Sequence, residues 1–287
     1  MTGPIPLPLL HSFLFVPGNR PERFAKALAA GADAIIVDLE DAVAAEQKAA
    51  AREAVRQATF AETAGPLVYL RINAVDTPWF ADDLALLRHP GIHGVMLPKA
   101  EHAAQIQRLD AGVGKVLRVI PIIESAAGLF NAAEIARAAG VERLVFGSID
   151  YQLDMNCEGT ETALLYARSQ LAVVSRWAGI QPPIDGVTTI IGDVAQIMQD
   201  AFHAKSLGFG GKLCIHPSQV GTVNQVWLPT NEEIDWAHKV CDAMQAAGGN
   251  AVSIDGKMID MPMIRAAQTI LARARAAGLL NSPDDPA

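Results

Sequence analysis

The stretch RVIPIIESAAGLF, residues 118–130, decides the fold. Val119, Ile120, Ile122 and Ile123 form a run typical of a strand that is buried on both faces, as in parallel sheets. The run nevertheless ends on Glu124, and small residues follow it. A carboxylate in this place is expected where a parallel strand ends at an active site, because the carboxyl ends of such strands carry the catalytic groups.

Seven more apolar runs share this pattern and alternate with helical segments. The eight predicted strands cover residues 12–18, 34–41, 67–73, 94–99, 118–124, 143–150, 182–187 and 211–217. The spacing between their starts averages about 28 residues, the size of one βα unit. We therefore predict a (β/α)₈ TIM barrel with a short C-terminal helical appendage. An open doubly wound sheet is the alternative, although no Gly-x-Gly-x-x-Gly follows the first strand.

The pattern changes near residue 225. We predict a barrel domain over residues 1–225 and an appendage over 226–287, built from a helix beginning after Thr230, a hairpin turning at Asp255-Gly256, and a helix over 262–278. We expect this appendage to contribute to an oligomer and to a neighbouring active site.

Charge and cysteine content exclude several functions. The net charge of −8 argues against a nucleic-acid or anionic-membrane surface. No run approaches the ~18 apolar residues of a membrane span, and the first ten residues lack the features of a signal peptide. The three widely spaced cysteines favour a reduced, cytoplasmic chain.

Polar residues gather at the predicted strand ends. They are Asp38, Glu40 and Asp41 after strand 2, Arg71 and Asn73 after strand 3, Lys99 after strand 4, Glu124 after strand 5, and Asp150 after strand 6. Two carboxylates on adjacent strands, Glu124 and Asp150, suit Mg²⁺, which binds through one or two carboxylates and keeps open positions for substrate oxygens. The alternative is that each acid only caps a helix, favoured by the helix dipole. Arg20, close after strand 1, suits a phosphate or carboxylate ligand, or is simply solvated.

Seven of these motifs occur in register: SFLFVPGNRPERFAKAL, DAIIVDLEDAV, RIN, GVMLPK, PIIESAAGL, FGSIDY and LGFGGKLCIHPSQV. Together they resemble the citrate lyase β-subunit-like family, relatives of malyl-CoA lyase within the HpcH/HpaI aldolase group. The resemblance implies a Mg²⁺-dependent barrel enzyme that makes or breaks a C–C bond in a 3-hydroxy-acyl thioester of CoA or an acyl carrier, with a 2-oxo acid as the other product.

The resemblance also implies roles for individual residues. Glu124 and Asp150 match the metal ligands, and Arg71 matches the residue that binds the oxo-acid end and polarises its oxygen. The other matching positions are Phe15 and Arg20 near the thioester, Asp38 and Glu40 near the metal's water shell, and Asp260, which reaches a neighbouring subunit's site as a candidate acid/base. A homo-oligomer, a trimer or a hexamer, follows from that last position.

The chain departs from the family pattern beside the metal. Ile149 stands where relatives often have an acid, and QLDMNCEG (152–159) differs from their run of small residues, although Asp154 is retained. Three alternatives to the thioester lyase therefore stay open: a hydroxy-acyl-CoA thioesterase at the same site, a non-catalytic barrel subunit, and aldol cleavage of a free hydroxy-oxo acid.

Overall fold

The structure is a computed structural model that describes residues 10–60, 65–109, 118–246, 252–254 and 257–280. It contains two compact units, one ending at Asn224 and the other beginning at Gln225. The predicted turn at Asp255-Gly256 and the tail after residue 280 lie outside the described residues. None of the helices among these residues is long and apolar enough to cross a membrane.

Eight parallel strands close on themselves in chain order and confirm the predicted TIM barrel. They are β1 (Ser12–Pro17), β2 (Ala34–Asp38), β3 (Leu67–Arg71), β4 (Gly94–Leu97), β5 (Arg118–Ile123), β6 (Val145–Phe146), β7 (Ile184–Asp185) and β8 (Gly211–Cys214). The barrel closes where β1 pairs with β8, with Phe13 beside Leu213.

Helices follow the strands along the chain. They are α1 (Phe24–Leu28), α2 (Lys48–Gln57), α3 (Phe80–Leu84), α4 (Ala103–Gln107), α5 (Ala126–Phe130), α6 (Ala132–Ala136), α7 (Ser148–Met155), α8 (Glu161–Ala178), α9 (Val194–Ser206) and α10 (Pro217–Trp227). The last of these, α10, continues past Asn224 into the second unit. The predicted strand 143–150 is wrong over most of its length, because β6 keeps only two residues and Ser148 already begins α7. Asp150 therefore lies in the first turn of a helix and not on a strand.

The barrel interior is filled by one or two side chains from each strand, namely Phe13, Ala34, Ile36, Tyr69, Met96, Ile120, Ile122, Val145, Ile184 and Leu213. Successive residues of a strand point to opposite faces, so each inward row continues every second residue. From Ile36, Tyr69 and Ile122 the next inward positions are Asp38, Arg71 and Glu124. The apolar rows of the core thus lead directly to the polar groups at the carboxyl end.

The opposite end of the barrel is closed by Arg143, which is fully buried. Its Nη1 donates to the carbonyl of Leu10 at 2.6 Å and its Nε to that of Pro182 at 2.8 Å, while its guanidinium carbon lies 5.3 Å from the centre of the Phe13 ring. Burial lowers the pKa of Arg143 to about 10. It remains a cation at neutral pH and seals the amino-terminal end of the core.

The second unit consists of α11 (Asn231–Ala246), an antiparallel pair β9 (Val252–Ile254) and β10 (Lys257–Ile259), and α12 (Met261–Ala276). Thr230 caps α11: its Oγ1 accepts from the N–H of Glu233, and its own N–H donates to the Glu233 carboxylate. The two helices share a core of small and aliphatic side chains, including Ala237, Val240, Ala267 and Leu271. Asp260 caps α12 by accepting from the N–H of Met263 at 3.1 Å.

A glycine in β4 gives a test of the barrel packing. A Cβ added at Gly94 would lie 2.6 Å from both the Tyr69 ring and the carbonyl oxygen of Arg118. We expect Gly94→Ala to lower the free energy of unfolding by about 1–3 kcal/mol, because neither the ring nor the backbone has room to move.

Thermal and urea unfolding of the two proteins measure this change. The matched control is Gly192→Ala, since Gly192 is exposed and a Cβ there meets nothing within 4 Å. Equal melting temperatures for Gly94→Ala and the unchanged protein would show that the barrel tolerates the extra methyl group.

Candidate active site

A cavity of about 460 Å³ opens at the carboxyl end of the barrel. Its charged lining residues are Asp38 at the end of β2, Asp41 after it, Arg71 on β3, Glu124 after β5, and Asp150 on α7. Four carboxylates and one guanidinium thus share a single cavity. This is the end of the fold at which TIM-barrel active sites form.

Arg71 and Asp38 form a bidentate ion pair in this site. They are opposite each other in the β2–β3 ladder, and Arg71 Nε and Nη2 donate to Asp38 Oδ1 and Oδ2 at 2.7 and 2.6 Å. Backbone N–H groups of Glu40 and Ala42 donate to the same two oxygens and complete the shell of Asp38. The carboxylate therefore orients the guanidinium rigidly, as a bidentate pair does.

The rest of the guanidinium contacts Glu40 and Phe15. Arg71 Nη1 lies 3.0 Å from Glu40 Oε2, and its central carbon lies 4.8 Å from the centre of the Phe15 ring. Burial by itself would lower the pKa of Arg71, but the neighbouring carboxylates outweigh it and raise that pKa. Arg71 is thus a permanent cation with a fixed orientation.

Glu124 is buried at the floor of the cavity, and Lys99 holds it in place. The backbone N–H of Lys99 donates to Glu124 Oε1 at 2.7 Å, and Lys99 Nζ donates to Glu40 Oε1 at 2.8 Å. Lys99 adopts the left-handed region, with φ of 50°, which is unfavourable for a residue with a side chain. This conformation directs its N–H and its ammonium group at two different carboxylates.

The turn after Glu124 is fixed by hydrogen bonds at the start of α5. The Ser125 hydroxyl accepts from the N–H of Gly128 and donates to Glu101. Asp154 of α7 accepts from the N–H of Ala126 at 2.7 Å. Asp154 thereby ties the helix that carries Asp150 to the turn that carries Glu124.

Burial raises the pKa of Glu124 to about 8, and repulsion from Glu40 and Asp150 adds to the rise, while the Lys99 N–H and Arg71 oppose it. Burial likewise raises the pKa of Glu40, although Arg71 and Lys99 counteract it. Such a shift means that the carboxylate of Glu124 lacks enough positive charge around it. A cation next to Glu124 and Asp150 would supply that charge.

The donor set fits Mg²⁺ rather than a softer metal. Within the described ranges, no three His, Cys, Asp or Glu side chains come together as a metal-binding group. Magnesium differs from zinc in needing only one or two carboxylates, with water and substrate oxygens in its other positions. Glu124 and Asp150, both lining an open cavity, meet this requirement.

Most of the residues predicted from the sequence meet here. Phe15, Asp38, Arg71, Glu124 and Asp150 line the cavity, and Glu40 lies directly behind it through its contacts with Arg71 and Lys99. Arg20 does not line the cavity; it is half-exposed and pairs with Glu22 at 2.7 Å. Asp260 belongs to the second unit.

The structure also adds residues that the sequence did not single out. Gly147 is needed because a Cβ there would lie 2.5 Å from the Glu124 side chain. An apolar wall formed by Phe146, Ile149, Val187, Leu213 and Ile215 faces the carboxylates. The FGSIDY motif contains this glycine together with Phe146 and Ile149, and the LGFGGKLCIHPSQV motif contains Leu213 and Ile215. No local pattern indicates that these residues and Val187 line one cavity.

Comparisons with known proteins agree on the family. Residues 11–217 match the profile of the HpcH/HpaI aldolase/citrate lyase family, and residues 175–279 match that of a C–C bond lyase of the TIM-barrel fold. A citrate lyase subunit beta-like protein of Deinococcus radiodurans is 38% identical over 93% of this chain and 98% of its own. A (3S)-malyl-CoA thioesterase of Cereibacter sphaeroides is 31% identical over 93% and 95%.

A solved structure is similar over the same extent. The protein CitE of Mycobacterium tuberculosis, in complex with magnesium, acetoacetate and coenzyme A, superposes with a TM-score of 0.83 at 36% identity, covering 93% of this chain and 99% of that one. The resemblance inferred from the seven motifs is therefore confirmed.

The raised pKa of Glu124 predicts a pH dependence of stability in metal-free protein. Folded Glu124 holds its proton up to about pH 8, whereas the unfolded residue loses it near its ordinary value of 4.5. Between these values folding takes up a proton, so the free energy of unfolding falls as the pH rises, by up to about 1.4 kcal/mol per pH unit.

We expect Glu124→Gln to remove this slope and to be more stable than the unchanged protein at pH 7.5, but not at pH 4.5. Urea unfolding in EDTA at several pH values measures the difference. Glu158→Gln, at an exposed position, is the matched control. A parallel pH dependence in the unchanged protein and Glu124→Gln would contradict the assignment of a neutral Glu124.

Proposed function

The chain belongs to the HpcH/HpaI aldolase/citrate lyase family and is a carbon–carbon lyase by this membership, and we propose that it is a Mg²⁺-dependent enzyme acting on a 3-hydroxy-acyl thioester. The products would be a shortened acyl thioester and a 2-oxo acid. The observation that carries this proposal is the pairing of buried Glu124 with Asp150 in one cavity with Arg71. Citryl, malyl and citramalyl thioesters are the candidate substrates.

The proposed metal site consists of Glu124 and Asp150. A bound Mg²⁺ would act as a Lewis acid on the hydroxyl and carboxylate oxygens of the substrate and would orient them. The chain prepares this site in advance, because the Lys99 N–H fixes one oxygen of Glu124 and Asp154 ties α7 to the adjoining turn. Preorganised groups of this kind do not need to reorient during the reaction.

Arg71 is proposed to act on the oxygen that becomes the carbonyl. In the proposed cleavage the substrate hydroxyl gives its proton to one of the carboxylates that line the cavity, and its oxygen becomes the oxo group. The electrons of the broken C–C bond pass to the α-carbon of the thioester, which is then protonated. Arg71 can donate hydrogen bonds to that oxygen as its charge develops, and Asp38 keeps the guanidinium in the required orientation. Glu40 and Lys99 complete the charged shell behind Arg71.

The remaining predicted roles are part of the proposal. Phe15, which packs against Arg71, would contact the thioester, and exposed Arg20 is free to reach a phosphate of CoA after leaving Glu22. Asp260 at the start of α12 would donate the proton to the α-carbon in the site of a neighbouring subunit, which requires a homo-oligomer such as a trimer or hexamer. A reducing, cytoplasmic location fits the three free thiols.

Thioester hydrolysis is the second candidate function. The 31% identical relative from Cereibacter sphaeroides is named a malyl-CoA thioesterase, so the same barrel is compatible with attack by water on the thioester carbonyl. The hydroxy acid would then be released intact along with the free thiol of the carrier. The two reactions differ in their products and are separated by mass.

Mass spectrometry of a panel of hydroxy-acyl-CoA thioesters, incubated with Mg²⁺ or EDTA, tests the proposal. We expect a shortened acyl-CoA and a 2-oxo acid with Mg²⁺ and neither with EDTA. Glu124→Ala should fold and lose at least about 100-fold in turnover, because a metal contributes several kcal/mol to the transition state. Glu158→Ala, at an exposed position, should keep full activity.

Two other results of this experiment would contradict the proposal. Free CoA together with an intact hydroxy acid would replace the lyase by the thioesterase. Full activity in EDTA, or in Glu124→Ala, would refute the metal site.

A further inference from the structure

The cavity at the carboxyl end of the barrel has two unlike sides. Arg71 and three of the four carboxylates come from β2, β3, β5 and the residues just after them, whereas the apolar wall of Phe146, Ile149, Val187, Leu213 and Ile215 comes from β6 to β8 and the segments that follow these strands. Asp150 follows Ile149 on α7, where the two sides meet. Phe146 and Leu213 are buried, whereas the Ile149 and Ile215 side chains are exposed at the mouth, with 49% and 37% of their surface accessible. A ligand that fills this cavity therefore contacts hydrocarbon on one side.

Positive charge in the cavity is scarce. Among the described residues that line it, Arg71 is the single cation, against four carboxylates. A bound Mg²⁺ would bring the total charge of these groups to −1 before any substrate enters. Lys99 does not line the cavity, and its Nζ is bound to Glu40 at 2.8 Å.

Arg71 has little capacity left for a ligand. A guanidinium has five N–H donors. Two of them bind the oxygens of Asp38, and Nη1 lies 3.0 Å from Glu40. The donors that remain are enough for the oxo group and carboxylate at one end of a 2-oxo acid, and not for a second carboxylate elsewhere on the molecule.

Beyond Arg71, the described side chains of the lining offer a second carboxylate no cation: they are the four carboxylates, the hydroxyl of Ser148 and apolar groups. Removing a charged group from water is costly unless the protein pairs it, while an alkyl group in the same place gains from burial. We propose that the substrate's carbinol carbon carries a hydrogen or a short alkyl group, and not a carboxymethyl group, beside its hydroxyl and carboxylate. This inference rests on the proposed lyase function and makes the 2-oxo acid product a monocarboxylate.

The substituent on the carbinol carbon divides the candidate substrates into two groups. Malyl and citramalyl thioesters carry hydrogen and methyl at that position and release a monocarboxylic 2-oxo acid. Citryl thioesters carry carboxymethyl and release oxaloacetate, a dicarboxylate.

Binding of an isosteric pair of 2-oxo acids tests the inference without turnover. In 2-oxobutyrate a methyl group replaces the second carboxylate of oxaloacetate. With Mg²⁺ present, titration calorimetry on the full chain should show at least about tenfold tighter binding of 2-oxobutyrate. The oxaloacetate is prepared fresh and checked by mass spectrometry for decarboxylation. Equal or tighter binding of oxaloacetate, or no binding of either acid, overturns the inference.

Two substitutions test the wall itself. Ile215→Arg and Ile149→Arg each place a cation at the mouth of the cavity and should shift the affinity ratio toward oxaloacetate by tenfold or more. Ile190→Arg is the control, since Ile190 is similarly exposed and does not line this cavity. Two exposed positions are used so that one variant that fails to fold does not decide the result. A ratio unchanged in the variants that fold overturns the role of the wall.

Failure of the lyase proposal would look different. If none of the thioesters in the panel undergoes C–C cleavage but 2-oxobutyrate still binds more tightly than oxaloacetate, the lyase proposal is refuted and the inferred binding preference is retained. Cleavage of citryl-CoA with a kcat/KM equal to or above that of citramalyl-CoA keeps the lyase and refutes the inferred substrate.

Discussion

The alternation of side chains along the strands of a closed parallel barrel is the constraint from which the site follows. Inward positions recur every second residue. The next inward side chain after the last core residue of a strand therefore lies at the carboxyl end of the barrel, above the core. In β2, β3 and β5 that next position holds Asp38, Arg71 and Glu124. Three strands that pack the interior therefore also aim their final polar side chains at one point, and no loop conformation has to be specified for these three.

The charged side chains at these strand ends lie close together and are only partly solvated. Most of the carboxylates are therefore paired with a cation. Asp38 is neutralised by Arg71 and by two backbone N–H groups. Glu40 is shared between Arg71 and Lys99. From the described residues, Glu124 receives only the backbone N–H of Lys99. The least compensated acid is thus the one whose pKa Asp150 raises further, and this imbalance supports the proposed cation site.

The fold and the strand-end residues could be predicted from the sequence because both depend on local patterns. Runs of apolar residues spaced by about 28 positions indicate βα units, and polar residues at the ends of these runs indicate the site. Three features depend on tertiary contacts and could not be predicted. Lys99 adopts the left-handed conformation and in it binds two carboxylates, Glu124 and Glu40, that are distant in the sequence. Strand β6 ends at Phe146, and the Gly147 that follows it lies too close to Glu124 for any side chain at that position. The apolar wall is assembled from five separate positions along the chain.

The arginine that closes the far end of the barrel has a kinetic consequence. Because Arg143 is held by the carbonyls of Leu10 and Pro182, and core side chains fill the space above it, the described residues close the amino-terminal end of the barrel and the cavity opens at the carboxyl end. In the proposed lyase the oxo acid would bind at Arg71, and the bulky thioester would extend from Phe15 toward this opening. Departure is then sequential: the acyl carrier has to leave first, and the oxo acid follows through the vacated passage.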